Sequence, residues 1–338
     1  MPYNEVFSRK NMIVIAVMAL IFTFVSGSLF YVYKYRGYVR YVNFAEYVRR
    51  GWPMFTPFNC LLYMFTQKRA SHSIMDMNEF PELDPIKNNW KIIQEEVLNL
   101  YKNGHFNSAT KTGSSASFDL GFHSFFKNGW SKFYLTWYGY THNSAKMLCP
   151  NTVKILESIP EVNGAMFSLL PAGSQLKRHL DPLAVSLRYH LGLSTPNSDN
   201  CFINVDGKDY TWRDGVAFMF DETYLHYANN NSQQYRLILM GDIARPMLSI
   251  GSIVNFVYKG FAKLTVVPNL EGDKQGLVST IFSTLSPIIQ KTKALKQTNK
   301  RMYLTIKHTV VFTLLIFVVG ILAGIVNLLR SLGTIIIS

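Results

Sequence analysis

Hydrophobic and polar positions follow three patterns along this chain. Near either end lie continuous apolar runs. Met12 to Tyr33 is 22 residues without a charge, and Thr309 to Leu329 is 21 with Asn327 as its only strongly polar side chain. Each is long enough to cross bilayer hydrocarbon as a helix. A cleaved signal peptide is the alternative for the first, but its apolar run is too long and no clear A-x-A site follows. Inward of the first run the spacing turns helical. Asp84-Pro85 precedes Trp90, Ile93, Val97 and Leu100/Tyr101 at helical intervals, with Asp84 as expected N-cap, Pro85 in the first turn and Gly104 as the stop. From about Gly164 the period shortens to that of strands: GAMFSLL, AVSLRYHLGL, CFINV, GVAFMF and QYRLILMGDI. Turn signals such as PAGS, TPNSDN, VDGKD and WRDG separate them. Many short strands with long-range connections predict a mainly β, double-sheet jelly roll rather than a parallel α/β sheet.

Two further apolar stretches do not fit a span. Gly51 to Phe65 (GWPMFTPFNCLLYMF) is too short and carries Pro53 and Pro57. It reads as an interfacial element or as a core-packing segment, and both stay open. Ile250 to Gln290 contains GSIVNFVYKGF and LVSTIFSTLSPII, expected against the membrane surface or the folded domain.

Charge then orients the chain. Arg9 and Lys10 precede the first apolar run, whereas Lys34, Arg36, Arg40, Arg49 and Arg50 follow it. Six basic residues from Lys291 to Lys307 precede the second run, and Arg330 follows it. Basic residues favour the cytoplasmic side, so both runs place the middle of the chain in the cytoplasm. The net charge is +13, yet Pro160 to Pro246 holds 7 basic and 9 acidic residues. The positive surplus therefore flanks the runs, where it sets topology and meets anionic lipid, and it does not mark a nucleic-acid-binding domain. Cys60, Cys149 and Cys201 lack metal-ligand spacing and fit reduced, packed thiols. Gly320 and Gly324 form a GxxxG that suits helix pairing, although glycine is frequent in such helices anyway.

The chemistry lies where polar residues interrupt apolar strands. Arg188 and His190 share one face of AVSLRYHLGL, opposite Leu187, Tyr189 and Leu191. His179-x-Asp181 stands just before that strand, and His226 follows 47 residues after His179. Two imidazoles and a carboxylate on one face of a metal suit non-haem Fe(II), because three positions stay open for cosubstrate and oxygen. The alternative is a surface His-Asp turn and a separate, satisfied histidine. Arg236, alone in QYRLILMGDI, needs a buried anion to offset its desolvation. A bound dicarboxylate such as 2-oxoglutarate would serve, and so would an internal pair with Asp221, Glu222 or Asp242.

The stretch PAGSQLKRHLDPLAVSLRYHLGL through RLILMGDIARP, with EFPELDPIKNNWKIIQEE and LGFHSFFKNGWSKFYLTWYG before it, resembles the aspartyl/asparaginyl β-hydroxylase family. Within that family it is most similar to membrane-bound lipid A acyl-chain 2-hydroxylases. The resemblance covers about Glu79 to Pro246. It implies an Fe(II)- and 2-oxoglutarate-dependent dioxygenase with a double-stranded β-helix (cupin-like) domain and flanking helices. O2 would be the oxidant, and ascorbate an added reductant. His179 and His226 match the iron-binding histidines, Arg236 the arginine on the distal carboxylate of 2-oxoglutarate, and Arg188 and His190 further cosubstrate contacts. Asp181 stands where animal members have glycine, so it completes a facial triad or orients a ligand from behind. Ser168 falls near another cosubstrate contact, in a register the PAGS loop leaves open.

The implied organisation is a tail (1–11), a transmembrane helix (12–33), a basic interfacial linker (34–78), the dioxygenase domain (79–247), a membrane-proximal amphipathic segment (248–308), a second transmembrane helix (309–329) and a tail (330–338). The implied reaction hydroxylates a lipid A secondary acyl chain beside its carbonyl, at the cytoplasmic face of a bacterial inner membrane, with no nucleic-acid partner. An Asp or Asn side chain of a protein is the alternative substrate. A membrane-anchored domain that binds a metal or anion without catalysis is the second alternative. The aromatic run GWSKFYLTWYGY lines the acyl route or fills an ordinary core.

Overall fold

The computed structural model describes residues 2–106, 119, 130–309 and 313. Alternating side chains build two antiparallel layers. The strands are β1 (Ser131–Trp137), β2 (Tyr140–Thr141), β3 (Val162–Leu170), β4 (Gln175–His179) and β5 (Ser186–Ser194). They continue as β6 (Cys201–Val205), β7 (Lys208–Thr211), β8 (Ala217–Phe220), β9 (His226–Asn230) and β10 (Arg236–Ala244). One sheet runs β2-β1-β3-β10-β5-β8, the other β4-β9-β6-β7. Sequence neighbours are split between the sheets, the mark of a jelly roll. In β3, β5 and β10 almost every residue is buried, because both faces of the larger sheet are covered.

One face packs outward onto helices. Phe167, Leu169, Leu187, Tyr189, Leu191 and Leu239 join Ile93, Val97 and Leu100 of α5 (Trp90–Lys102) and Val153 and Leu156 of α7 (Pro150–Glu157) in the main core. The other face meets the smaller sheet through Met166, Ile238, Met240, Phe218 and Phe220 against Ile203, Val205 and Ala228. That inner layer carries the polar residues discussed below.

The five strands expected from sequence are all present. The strands not foreseen, β4, β7 and β9 among them, read QLKRH, KDYT and HYANN. They belong to the smaller sheet and include side chains that face solvent or a cavity, so no apolar run announces them. The expected helix after Asp84-Pro85 is divided. Leu83, not Asp84, is the N-cap of α4 (Asp84–Asn88), and α5 starts afresh at Trp90. Asn89 breaks the run, since its side-chain amide donates to the Pro85 carbonyl at 2.8 Å. Gly104 does follow the end of α5, at φ +75°.

The chain forms two compact units meeting at Thr280/Ile281. In the first, α1 (Pro2–Lys34) contains Ile15–Lys34, a helix long and apolar enough to cross a membrane, with a mean hydropathy of 2.2. Then come α2 (Phe44–Arg50), α3 (Thr56–Phe65), α6 (Asn143–Leu148) and α8 (Ser249–Ala262). A further helix, α9 (Leu277–Thr298), passes the unit boundary. Of the second expected span only Thr309 and Thr313 are described. Gly320 and Gly324 lie outside the described residues.

Candidate active site

β4 and β9 are antiparallel neighbours in which His179 is registered directly against His226. A bulge between Leu176 and His179 brings the rings to one side, with centroids 4.3 Å apart. Each ring is turned by the backbone two residues before it. His179 Nδ1 lies 2.8 Å from the Lys177 carbonyl and His226 Nδ1 2.9 Å from that of Tyr224. A carbonyl only accepts, so Nδ1 donates in both rings and each Nε2 keeps its lone pair. Asp181 Oδ1 is 3.7 Å from His179 Nε2, and one ligand atom from each of His179, Asp181 and His226 lies within 4.8 Å of the others. Two nitrogens and one oxygen at this spacing can hold a divalent transition metal on one face.

Electrostatics favour the metal-binding protonation states. Burial, then the neighbouring His179, pushes His226 down to about 3, so its imidazole is neutral. Burial alone would raise Asp181, but the Arg188 guanidinium outweighs it and holds the carboxylate at about 2. Arg188 Nη2 donates to Asp181 Oδ2 at 3.2 Å, which turns Oδ1 toward the histidines.

The second half of the site lies on the larger sheet, on β10 and β5. Arg236 is fully buried between Trp212 and Trp130, 4.5 and 5.1 Å from the ring centroids. Its Nη2 donates to Ser168 Oγ at 3.2 Å, its Nε has no partner, and no carboxylate pairs with it among the described residues. Desolvation lowers its pKa to about 10, which still leaves it charged at neutral pH. Trp212 Nε1 donates to His190 Nδ1 at 3.3 Å. The neutral ring therefore carries its proton on Nε2, which is buried and without a partner. Burial, with Arg236 and Arg188 nearby, keeps His190 well below its ordinary value. Two unmatched donors, one of them a full charge, have the chemistry to receive an anion.

Both groups line one cavity of about 620 Å³. Trp130, Tyr134, Trp137 and Tyr138 of the aromatic run form part of its wall, while Phe133 and Leu135 between them enter the main core. The aromatic run is thus divided between the cavity wall and the core. Arg188 faces the cavity as its position in β5 predicts, but its guanidinium is taken up by carboxylates. Its Nε donates to Glu222 Oε2 at 2.7 Å and its Nη1 lies 2.7 Å from Asp242 Oδ1, in addition to the Asp181 contact. The residues weighed as ion-pair partners of Arg236 are thus engaged elsewhere, with Asp221 on Arg36 and Arg245. Sequence reasoning missed Glu222, Asp242 and Trp212 as parts of the wall. For Glu222 and Asp242 the only available signal was an acidic residue ending an apolar strand.

The cavity of this jelly roll thus holds two histidines, an aspartate and a buried arginine that pairs with no carboxylate among the described residues. Residues 87–246 match the family model described as aspartyl/asparaginyl beta-hydroxylase. An ornithine lipid ester-linked acyl 2-hydroxylase of Rhizobium tropici is 34% identical over 137 residues, 40% of this chain and 49% of the relative. The human aspartyl/asparaginyl beta-hydroxylase is 30% identical over 128 residues, 36% and 17% of the two chains. The chain therefore spans about half or less of the length of these curated relatives. Among solved structures, a Pseudomonas putida prolyl-4-hydroxylase is similar over 35% of this chain and 72% of its own, at 18% identity and a TM-score of 0.26.

Proposed function

We propose that this chain is an Fe(II)- and 2-oxoglutarate-dependent hydroxylase that acts at carbon 2 of an ester-linked acyl chain of a membrane lipid. The secondary acyl chains of lipid A, at the cytoplasmic face of a bacterial inner membrane, are the expected case. The observation that carries this reading is a single cavity with two chemically distinct ends. One end gathers the ligand atoms of His179, Asp181 and His226, and the other presents Arg236 and His190 without an anion partner.

In this reading His179 and His226 hold iron through Nε2 and Asp181 through Oδ1. Iron with 2-oxoglutarate and O2 supplies an oxidant for an unactivated C–H bond, succinate and carbon dioxide being the other products. The protein's own work is positioning. Arg188 fixes Asp181 from behind, Arg236 and His190 take the distal carboxylate of the cosubstrate, and Trp130 and Trp212 exclude water from that pair. The apolar remainder of the wall suits an acyl chain, and the name of the Rhizobium relative supports C2 chemistry.

Hydroxylation of an Asp or Asn side chain is the second reading, favoured by the family model and the human relative. The helix at Ile15–Lys34 favours lipid. Mass spectrometry of lipids from cells with and without the gene decides between them. A gain of one oxygen on an ester-linked acyl chain is expected, and an unchanged lipid profile overturns the lipid substrate. Purified protein with iron, ascorbate and lipid should convert 2-oxoglutarate to succinate, and His226→Ala should not. Equal succinate from both would overturn the catalytic reading itself.

A further inference from the structure

The helix α3 carries a second apolar face, turned away from the domain. Its inward face mixes polar and apolar residues: Thr56 and Asn59 are buried beside Leu62, Asn59 donating to the Pro182 carbonyl at 2.8 Å and accepting from the Ala184 amide at 3.0 Å. Its outward residues are apolar. Met54 just before it is 76% exposed, and Phe58, Leu61 and Met64 continue the same face at helical spacing. No charged residue occurs from Gly51 to Gln67. In water such an outward face is out of place, because a soluble helix turns its apolar stripe to the core.

A second helix repeats the feature. In α8, Val254, Tyr258 and Ala262 turn toward the domain, whereas Ile253, Phe256, Val257 and Phe261 are exposed, Phe256 to 79%. Those four lie at i, i+3, i+4 and i+8, a single stripe, with Lys259 and Lys263 nearby. α3 packs against α1, whose Ile15–Lys34 stretch is apolar enough to span, and α8 packs near α3. The cavity reaches this same side: Trp52 and Phe55, which lead into α3, and Tyr258 of α8 are part of its wall.

We propose that the outward faces of α3 and α8 are embedded in the bilayer interface beside α1, and that the cavity opens between them into the acyl layer. The occupant of this surface is lipid. An exposed apolar stripe on each of two helices, bordered by lysines and arginines and continuous with a spanning helix, matches what an interfacial helix needs. The inward face gives the arrangement a use. Asn59 holds the loop after Asp181, and Tyr63 donates to Thr223 Oγ1 at 2.9 Å, three residues before His226. The helix that rests on lipid thus also braces both segments that carry the candidate metal ligands. The docking surface stands on exposure and helix geometry. The acyl route through it rests on the function proposed above.

The test uses the full chain in vesicles of phosphatidylethanolamine and phosphatidylglycerol. A diazirine amino acid is placed at Met64, at Phe256 and, as a control, at Lys91 of the amphipathic α5. Irradiation and mass spectrometry then identify what each position touches. Phospholipid adducts at Met64 and Phe256, at least ~10-fold above Lys91, are expected of interfacial helices. Adducts to a second copy of the chain at these positions would overturn the proposal in favour of a protein interface. Adducts no more abundant than at Lys91 would overturn it in favour of a solvated face. None of these readouts needs turnover, so an inactive enzyme with lipid adducts would sink the proposed reaction and leave the docking surface standing.

Discussion

Arg236 is buried between two indoles with no carboxylate to meet it among the described residues, and such a group costs several kcal/mol unless something binds there. The cosubstrate-free protein should therefore tolerate its loss better than the enzyme does. Arg236→Met is expected to leave the thermal midpoint unchanged or higher. It should raise the apparent KM for 2-oxoglutarate by roughly 30- to 150-fold, the equivalent of about 2–3 kcal/mol of charge-assisted hydrogen bonding. Succinate formation against 2-oxoglutarate concentration measures this, and an unchanged KM would remove Arg236 from the cosubstrate site. His190 gives a pH signature of defined sign. Burial holds it below its ordinary 6.5, so under acidic conditions the unfolded chain binds a proton that the folded chain refuses. Its contribution is fully present above pH 6.5 and is lost as the pH falls below it. Thermal unfolding of metal-free, cosubstrate-free protein between pH 7 and about 5 should thus show a shallower acid loss for His190→Gln than for the parent.

Element by element, the site depends on where strands are interrupted. The R-x-H of β5 was legible from sequence, because period-two alternation alone puts Arg188 and His190 on the face away from Leu187, Tyr189 and Leu191. The partners of Arg188 were not legible. Asp242 reaches it only because β10 pairs with β5 in the register Asp242↔Arg188, and Glu222 only through the turn after β8. Close packing adds a constraint of its own. A Cβ at Gly192 would run into the carbonyl of Arg213, so Gly192→Ala is expected to cost about 1–3 kcal/mol in chemical denaturation, as overpacked sites do. Asn59→Leu should cost about 2–4 kcal/mol by leaving the Pro182 carbonyl and the Ala184 amide unmatched. It should also weaken iron binding by freeing the Asp181 loop, which calorimetric titration with Fe(II) under nitrogen would detect.

At the scale of the whole first unit, the end of α1 is fastened to the barrel. The Arg36 side chain is 8% exposed, pairs with Asp221 at 2.9 Å, and lies over the rings of Tyr63 and Tyr224 at 3.7 and 4.1 Å. Asp206 Oδ1 accepts from the amides of Tyr38 and Val39 at 2.7 and 3.0 Å. The segment read as a basic linker is thus partly structural, and the site keeps a fixed height relative to the apolar helix. Arg36→Met should lower unfolding stability in detergent by about 1–3 kcal/mol. Asp221 keeps Arg245, at 2.8 Å, as a second partner, which holds the loss below that of an orphaned buried charge. For the proposed cytoplasmic placement, a fluorescent-protein fusion after Asn299 should fluoresce in a bacterial cell and an alkaline phosphatase fusion there should be inactive. The reverse pattern would invert the topology.

Local pattern determined the apolar helix at the start of this chain, the β class of its middle, the face shared by Arg188 and His190, and Arg236 as a charge in need of a partner. These follow from periodicity and from the cost of burying charge, which act within a few residues of sequence. His179, Asp181 and His226, by contrast, were singled out as a set by resemblance to a family. Only the tertiary structure decided that the two histidines face each other across β4 and β9, that Trp130 and Trp212 enclose Arg236, and that Asn59 of α3 points inward while Leu61 and Met64 point out. Each of those depends on pairing between segments far apart in the chain, and a side chain's neighbours across a sheet are set by register, which no short window of sequence contains.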